Sequence, residues 1–101
     1  MKLKELAHSR TGDKGNTAIT SVIAYRPEDY ARIVQHVTVE AVKNRFTGIV
    51  KGEISRYEYP EIGALNFVMM DALGGGVTRS LALDAHGKSF SSAMLDMEIP
   101  E

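Results

Sequence analysis

The 101-residue sequence contains no cysteine. Disulfides, thiol chemistry, cysteine-ligated zinc and ordinary cysteine-ligated iron–sulfur clusters are therefore excluded. No run approaches the roughly 20 apolar residues of a membrane span, and the stretch from Met1 to Leu6 lacks the apolar core of a signal peptide. These absences predict a cytoplasmic protein that does not enter a membrane.

An excess of charge of either sign is also missing. The formal net charge is −1, so there is no overall basic field, and nucleic acid and anionic membranes are not favoured as partners. Hydrophobic residues at 44% and charged residues at 25% are ordinary for a soluble globular protein. The length predicts one domain, residues 1–101, with a single modest core.

Apolar patterning predicts the elements of the first half of the chain. Leu3–Ala7 is interpreted as a short first strand. Thr17–Ala24 is rich in β-branched residues and partly apolar on both faces, which predicts an interior strand. Pro27–Val37 shows helical spacing, with proline at its first position. Thr38 is predicted to cap a second helix, Val39–Phe46.

The second half is predicted to contain more strand. Val50–Tyr59 alternates and carries several charges, which indicates a strand near a sheet edge with the charges in solvent. Ala64–Met70 is nearly all apolar, which favours a buried central strand, with a buried helical turn as the alternative. Ser80–Asp84 alternates, and Ala85–Lys88 predicts a turn after it. Ser89–Ile99 suits either a helix or a strand.

The stretch from Ser9 to Asn16 is predicted to be a loop, and one interpretation of it is an anion-binding site. Its glycines allow positive φ and leave backbone N–H groups accessible, and its cations add fixed charge, so it suits a phosphate or carboxylate. The spacing of a P-loop is absent. A tight connection in which Asp13 and Asn16 bond their own backbone is the alternative. The candidate ligand-binding residues here are Arg10, Gly12, Asp13, Lys14, Gly15 and Asn16.

A second glycine-rich stretch, residues 74–80, also combines glycines with a cation and hydroxyls. A guanidinium beside bare backbone suits bidentate carboxylate or phosphate contacts, and a helix opening at Val77 would add an anion-binding N-terminus. The alternative is a turn with Arg79 paired to a surface acid. The candidates are Gly74, Gly75, Gly76, Thr78, Arg79 and Ser80.

Two isolated polar residues complete the candidates. Asn66 stands alone in an apolar run, where a buried amide must be hydrogen-bonded, either to neighbouring backbone or to a ligand. His8 is a weak candidate for a general base with Asp13 nearby, although a structural or exposed histidine is the more common outcome. His36 and His86 show no ligand spacing with it, so no metal site is expected.

Several blocks of the sequence together resemble a known family. In order they are Arg10–Ala18, Tyr57-Glu58, Ala64–Phe67, Leu73–Gly76, and Ser80-Leu81 with Asp84 and Gly87-Lys88. This ordered set is similar to the AtuA-like ferredoxin-fold domain, which usually forms the C-terminal part of longer proteins linked to acyclic terpene utilisation and also occurs as a free-standing chain. The resemblance implies a ferredoxin-like fold and a place in terpenoid or acyl-CoA catabolism. The fold name carries no iron–sulfur cluster with it, and no cofactor is expected.

The expected architecture is an α+β, ferredoxin-like sandwich with a mainly antiparallel sheet. The helices of Pro27–Phe46 are expected to pack on one face of that sheet. In so small a domain, the other face or an edge would favour a homo-oligomer, and the apolar run at Ala64–Met70 motivates this expectation.

Three classes of function follow. The first is an accessory or subunit protein that binds a partner, for which the resemblance suggests a larger AtuA-type chain or a carboxylase-related protein. The second is a module that binds an anionic, acyl-CoA-like small molecule through Arg10, Lys14 and Arg79. The first two are favoured together. The alternative is a small hydratase- or lyase-like enzyme that acts on an activated acyl group, with His8 or Asp13 as base.

Overall fold

The protein folds into an antiparallel sheet with helices on one side. The computed structural model describes residues 1–14, 17–48, 50–71 and 88–100, with backbone alone at 13, 14, 88 and 89. The sheet within these ranges has four strands in the order β1-β2-β4-β3, and every neighbouring pair is antiparallel. In chain order the elements are β1 (Ala7–Lys14), β2 (Thr17–Ala24), α1 (Tyr30–His36), α2 (Val39–Arg45), β3 (Ile54–Tyr59), β4 (Ala64–Met69) and α3 (Lys88–Leu95).

This connectivity is a ferredoxin-like arrangement in which the strand that is usually last stands at the start of the chain. The helices between β2 and β3 carry the chain across the sheet, and β4 then pairs between those two strands. The usual ferredoxin-like order is β-α-β-β-α-β, whereas this chain reads β-β-α-β-β-α if α1 and α2 count as one helical layer. The α+β, ferredoxin-like fold class is therefore confirmed.

The two ends of the described chain meet beside this rearranged strand. The Leu3 amide donates to the Met97 carbonyl at 2.9 Å, and the Ile99 amide donates to the Met1 carbonyl at 2.7 Å. Leu3, Met97 and Ile99 are buried. The end of α3 therefore returns the chain to the start of β1, where the usual strand order would have a helix-to-strand loop.

The predicted interior strand and central strand are both confirmed. β2 lies between β1 and β4, and its residues Ala18, Thr20 and Val22 are buried toward the helices. The run predicted at Ala64–Met70 forms β4 through Met69 and lies between β2 and β3.

The helical predictions are also confirmed, with one refinement. Pro27–Asp29 forms a 3₁₀ turn, and α1 begins only at Tyr30. Thr38 caps α2 as predicted, since its hydroxyl accepts from the Ala41 amide at 3.1 Å. Both helices and α3 cover the same face of the sheet. Their contribution to the core includes Ile33, Val37, Val42, Phe46, Phe90 and Met94.

The ambiguous segment Ser89–Ile99 is mainly helical, as the first of its two interpretations predicted. α3 ends at Leu95 and buries Phe90 and Met94, and the Phe90 ring lies 5.1 Å from that of Phe46. Beyond the helix, Glu98 pairs with Lys2 as an isolated antiparallel bridge.

The prediction of a strand at Leu3–Ala7 is wrong. Leu3–Glu5 forms a 3₁₀ turn, and the strand begins at Ala7. The turn is favoured because Leu3 and Leu6, three residues apart, are both buried. The Lys2 amide also donates to the Glu5 carboxylate at 3.0 Å.

The strand predicted at Val50–Tyr59 is present only from Ile54. It is the edge strand β3, as predicted. The segment before it remains hydrogen-bonded to the chain after β4: the Gly52 amide donates to the Met70 carbonyl at 3.1 Å, and the Met70 amide donates to the Glu53 carbonyl at 2.9 Å. Pro60–Ile62 forms a 3₁₀ turn that ends β3.

The strand predicted at Ser80–Asp84 lies outside the described residues. So does the turn predicted at Ala85–Lys88, except for Lys88, which begins α3. In the described ranges, no helix is both long enough and apolar enough to cross a membrane.

Candidate functional site

The face of the sheet opposite the helices is the candidate site, and we call it the open face. Successive strand residues alternate between the two faces, and the helices cover the face of Ala18, Val22, Leu65 and Phe67. The open face therefore carries the alternate positions His8, Arg10, Gly12, Ile19, Ser21, Ile23, Ser55, Tyr57, Tyr59, Ala64, Asn66 and Val68.

Four polar residues form one continuous row across the middle of the open face, which we call the polar row. Arg10 pairs with Ser21, Ser21 with Asn66, and Asn66 with Tyr57. The row crosses three strand spacings, or about 14 Å from end to end. The Ser21 hydroxyl donates to the Arg10 carbonyl at 3.4 Å. A guanidinium, a hydroxyl, an amide and a phenol thus follow one another across the sheet.

Apolar pairs lie on both sides of the polar row. On one side Ile23 pairs with Ala64, and on the other Ile19 pairs with Val68. Tyr57 remains 51% exposed at the β3 end of the polar row. The centre of the open face therefore offers polar groups between two apolar strips.

The fixed charge on the open face is positive. Arg10 is exposed, and it makes no ion pair with any residue that the structure describes. None of the open-face strand positions carries a carboxylate. This face therefore suits a ligand with a negative group more than one with a positive group.

The prediction of a loop from Ser9 to Asn16 is wrong for residues 9–14, which belong to β1. The hydroxyl side chains of Ser9 and Thr11 are compatible with a strand because they face the helices, where they are buried or hydrogen-bonded. The Thr11 hydroxyl is hydrogen-bonded to those of Ser91 and of Thr20, the latter at 3.2 Å. The Ser9 hydroxyl is buried on the same side, with no partner among the described residues. These groups therefore serve the packing of β1 against α3 and not a ligand loop.

Gly12 does not have the positive φ that the predicted loop would allow its glycines. The described glycines with positive φ are Gly48 and Gly63, so Gly12 is an ordinary strand residue. Asp13 and Lys14 are the last residues of β1, and Lys14 pairs with Thr17.

The ligand role predicted for Asp13 and Lys14 depends on side chains that are not described, and Gly15 and Asn16 lie outside the described residues. A sequence signal for the hairpin was available, because the dipeptide Gly15-Asn16 is typical of two-residue hairpin turns.

His8 and Asp13 are not neighbours. They lie five residues apart on one extended strand, which separates their backbones by about 17 Å. The expectation that Asp13 lies near His8 is therefore wrong. The His8 ring instead stacks on Tyr25, with ring centres 5.3 Å apart and planes inclined by 26°.

Asn66 is not the buried amide that the sequence suggested. It is partly exposed at a central position of the open face, between the buried neighbours Leu65 and Phe67. Sequence analysis missed Ser21 and Tyr57 as its companions. Ser21 and Tyr57 can be identified because alternate residues of a strand face the same side of the sheet. This requires the strand order to be known.

The second predicted site lies outside the described residues. This applies to Gly74, Gly75, Gly76, Thr78, Arg79 and Ser80. Among the residues that the structure describes, no group of three or more His, Cys, Asp or Glu side chains could hold a metal ion.

Comparison with known proteins agrees with this architecture. The model of the AtuA ferredoxin-like domain family matches residues 1–100 of the chain. No curated protein and no solved structure matches it. The family match covers nearly the whole chain and confirms the resemblance seen in the sequence blocks. The chain therefore belongs to the AtuA ferredoxin-like domain family.

Proposed function

We propose that this chain is an accessory subunit that binds an anionic, acyl-CoA-like compound on its open face, in acyclic terpene or acyl-CoA catabolism. The observation that carries the proposal is the polar row. It places the exposed Arg10 in line with Ser21, Asn66 and Tyr57, on a face whose strand positions carry no carboxylate.

The two parts of such a ligand match two parts of the open face. Arg10 offers a planar, permanently charged fork to a carboxylate or phosphate, and hydrogen bonds to charged groups are the stronger class. The partly exposed side chains of Ile19, Ile23 and Val68 offer apolar surface beside it for an acyl chain. The pathway itself is inferred from the family.

Replacing Arg10 with glutamine is expected to weaken binding of octanoyl-CoA at least about tenfold, because a charge-assisted hydrogen bond is lost. Binding is measured by isothermal titration calorimetry at low salt. The matched control is Lys43→Gln, which removes the same charge from an exposed position on α2, on the helical side of the sheet. The control is expected to bind as the native chain does.

Free CoA and octanoate separate the two halves of the ligand. If both bind more weakly than octanoyl-CoA, the acyl chain and the anionic group each contribute. A native chain that binds none of the three compounds contradicts the proposal. Equal affinity in the native and Arg10→Gln chains would place any binding outside the polar row.

A second candidate function is self-association through the open face, which the symmetry of the polar row favours. Two copies can pack with their open faces against each other, related by a twofold axis that lies between the sheets and runs parallel to the strands. This would set Arg10 of one copy over Tyr57 of the other, and Ser21 over Asn66. A guanidinium over a phenol ring is a favourable cation–π contact. The proposed occupant of the face is thus a second copy of this chain.

The native chain is then expected to be a dimer by light scattering after size-exclusion chromatography. Tyr57→Arg is expected to be a monomer, because it sets two guanidinium groups against each other. Gln35→Arg, at an exposed position of α1 on the helical side of the sheet, is the control. A monomeric native chain contradicts self-association. Its capture by a co-expressed AtuA-type or carboxylase-related chain would assign the face to that partner.

A further inference from the structure

A cleft of about 260 Å³ lies at one end of the sheet, apart from the polar row. Two proline-initiated 3₁₀ turns, Pro27–Asp29 and Pro60–Ile62, contribute to its walls. The volume is below the roughly 300–1,000 Å³ of pockets for drug-sized ligands, so the cleft suits a group about the size of one side chain. The residues that line it include Tyr25, Pro27, Tyr30, Pro60, Glu61 and Ile62.

Hydrogen bonds hold the shape of the cleft. The Tyr30 hydroxyl donates to the Ala64 carbonyl at 3.1 Å, which ties α1 to the start of β4. The Ala24 amide donates to the Gly63 carbonyl at 2.9 Å, and Gly63 ends the second 3₁₀ turn in a left-handed conformation with φ of 64°. The site is therefore formed before a ligand arrives.

Apolar side chains at the cleft are exposed to solvent. Tyr25 is 61% exposed and Ile62 is 67% exposed, among the largest values for hydrophobic residues in the described chain. Tyr25 is also stacked on His8, so its ring is held in place. Two aromatic rings and an aliphatic side chain therefore line a small cleft that opens to water.

The charge at the cleft is negative. The Glu61 carboxylate makes no ion pair with any described residue. The nearby cations already have acidic partners: Arg26 Nε lies 3.2 Å from an Asp29 oxygen, and Arg56 Nη2 lies 3.0 Å from a Glu58 oxygen.

The tyrosine inside the cleft responds to this charge. Burial raises the pKa of the Tyr30 phenol, and the Glu58 carboxylate raises it further, whereas the Tyr59 backbone and the charge of Arg56 lower it; the Glu61 carboxylate adds the smallest increase. A negative potential at the phenol favours a positive ligand there.

We propose that this cleft binds a primary ammonium group carried on a short apolar chain, the chemistry that a lysine side chain presents. The ammonium meets the Glu61 carboxylate and the faces of the tyrosine rings, and the alkyl chain lies against Pro60 and Ile62. Ammonium groups are attracted both to carboxylates and to aromatic faces. This site is independent of the open face and of the function proposed for it.

The test is an NMR titration of the ¹⁵N-labelled chain with n-butylammonium at low salt. The amides of Ala24, Tyr25 and Gly63 are expected to shift, with a dissociation constant on the order of millimolar. Glu61→Gln is expected to weaken binding about fivefold, as for one partly exposed ion pair. Glu40→Gln, at an exposed position on α2, removes the same charge and is expected to leave binding unchanged.

A neutral ligand of the same shape separates recognition of the charge from apolar packing. The neutral n-butanol is expected not to bind comparably, because it offers no positive charge to the Glu61 carboxylate.

Two further arms separate the sources of the ligand. Binding of N-acetyl-lysine methylamide at least as tight as that of n-butylammonium assigns the site to a lysine of a partner protein, and binding of n-butylammonium alone assigns it to a free amine. The proposal is overturned if no cleft amide shifts, if n-butanol binds as well as the amine, or if Glu61→Gln has no effect. Arg10→Gln is expected to bind n-butylammonium as the native chain does, so failure at either site leaves the other testable.

Discussion

Replacing Gly52 with alanine is expected to destabilise the fold by about 3 kcal/mol, the upper range for overpacking a closely packed position. A Cβ atom at this position would lie 2.6 Å from the Met70 carbonyl oxygen and 2.8 Å from its carbonyl carbon. These atoms belong to backbone that cannot move freely, because the Met70 carbonyl and amide bond to Gly52 and Glu53. In a domain of this size, the loss would lower the melting temperature by roughly 15 °C.

Gly12→Ala is the matched control for that substitution. Gly12 lies in β1 without a positive φ, and a Cβ added there would meet no atom within 4 Å. Alanine at this position removes backbone freedom from the unfolded chain, so a gain of about 0.5 kcal/mol is expected. Urea unfolding of both variants gives the comparison. Equal losses at the two positions would contradict the contact with Met70 as the cause.

The elements with a strong local signal were predictable from the sequence. β2 is rich in β-branched residues, and β4 is a nearly unbroken apolar run, so each could be identified as a strand of the sheet interior. The start of the α1 region and the cap of α2 follow from Pro27 and Thr38, which act within one turn of the chain. These two helices can therefore be predicted from local sequence alone, without knowledge of long-range contacts.

β1 was not predictable in the same way, because its stability comes from its neighbours. Ser9 and Thr11 are polar yet face the helical side, where Thr11 is hydrogen-bonded to Thr20 and Ser91. Those partners are distant in sequence. A polar strand of this kind has the composition of a loop, and only its pairing with β2 distinguishes the two.

The polar row also depends on contacts that the sequence does not contain. Arg10 and Asn66 were identified singly, as candidates for a ligand. Their alignment with Ser21 and Tyr57 requires β4 to pair between β2 and β3, against the order of the chain. Residue types therefore indicated the chemistry of the site, and the strand order determines which side chains share it.

The surroundings of the Arg56 side chain also could not be predicted from the sequence. The alternation of β3 suggested that its charges lie in solvent, and for Arg56 this is wrong. Its side chain is only 19% exposed and lies on the helical face of the edge strand. Nη1 donates to the Val34 carbonyl at 2.8 Å and to the Val37 carbonyl at 3.0 Å, at the C-terminal end of α1. The last carbonyls of a helix lack partners within the helix, and a cation there also complements the helix dipole.

Arg56→Met is therefore expected to destabilise the fold by about 3 kcal/mol, since two hydrogen bonds from a charged donor are lost and two carbonyls are left without that partner. Methionine retains most of the apolar stem, so the substitution tests the guanidinium and not the packing. Hydrogen exchange is expected to become faster at the amides of α1, and to change little in α3, whose contacts with β1 do not involve this residue.

Two controls distinguish the bonds to α1 from the charge of Arg56. Glu58→Gln removes the ion pair in which a Glu58 carboxylate oxygen lies 3.0 Å from Arg56 Nη2. It is expected to lower the free energy of unfolding by less than about 1 kcal/mol, because Glu58 is half exposed. Arg32→Met makes the same change at a partly exposed arginine, whose hydrogen bond to the Pro100 carbonyl at 3.0 Å is exposed to solvent, and a similarly small loss is expected. A loss in Arg32→Met as large as in Arg56→Met would show that the effect follows from removing any arginine. Loss only in Arg56→Met, with faster exchange confined to α1, would establish that the edge strand holds the end of this helix through one guanidinium.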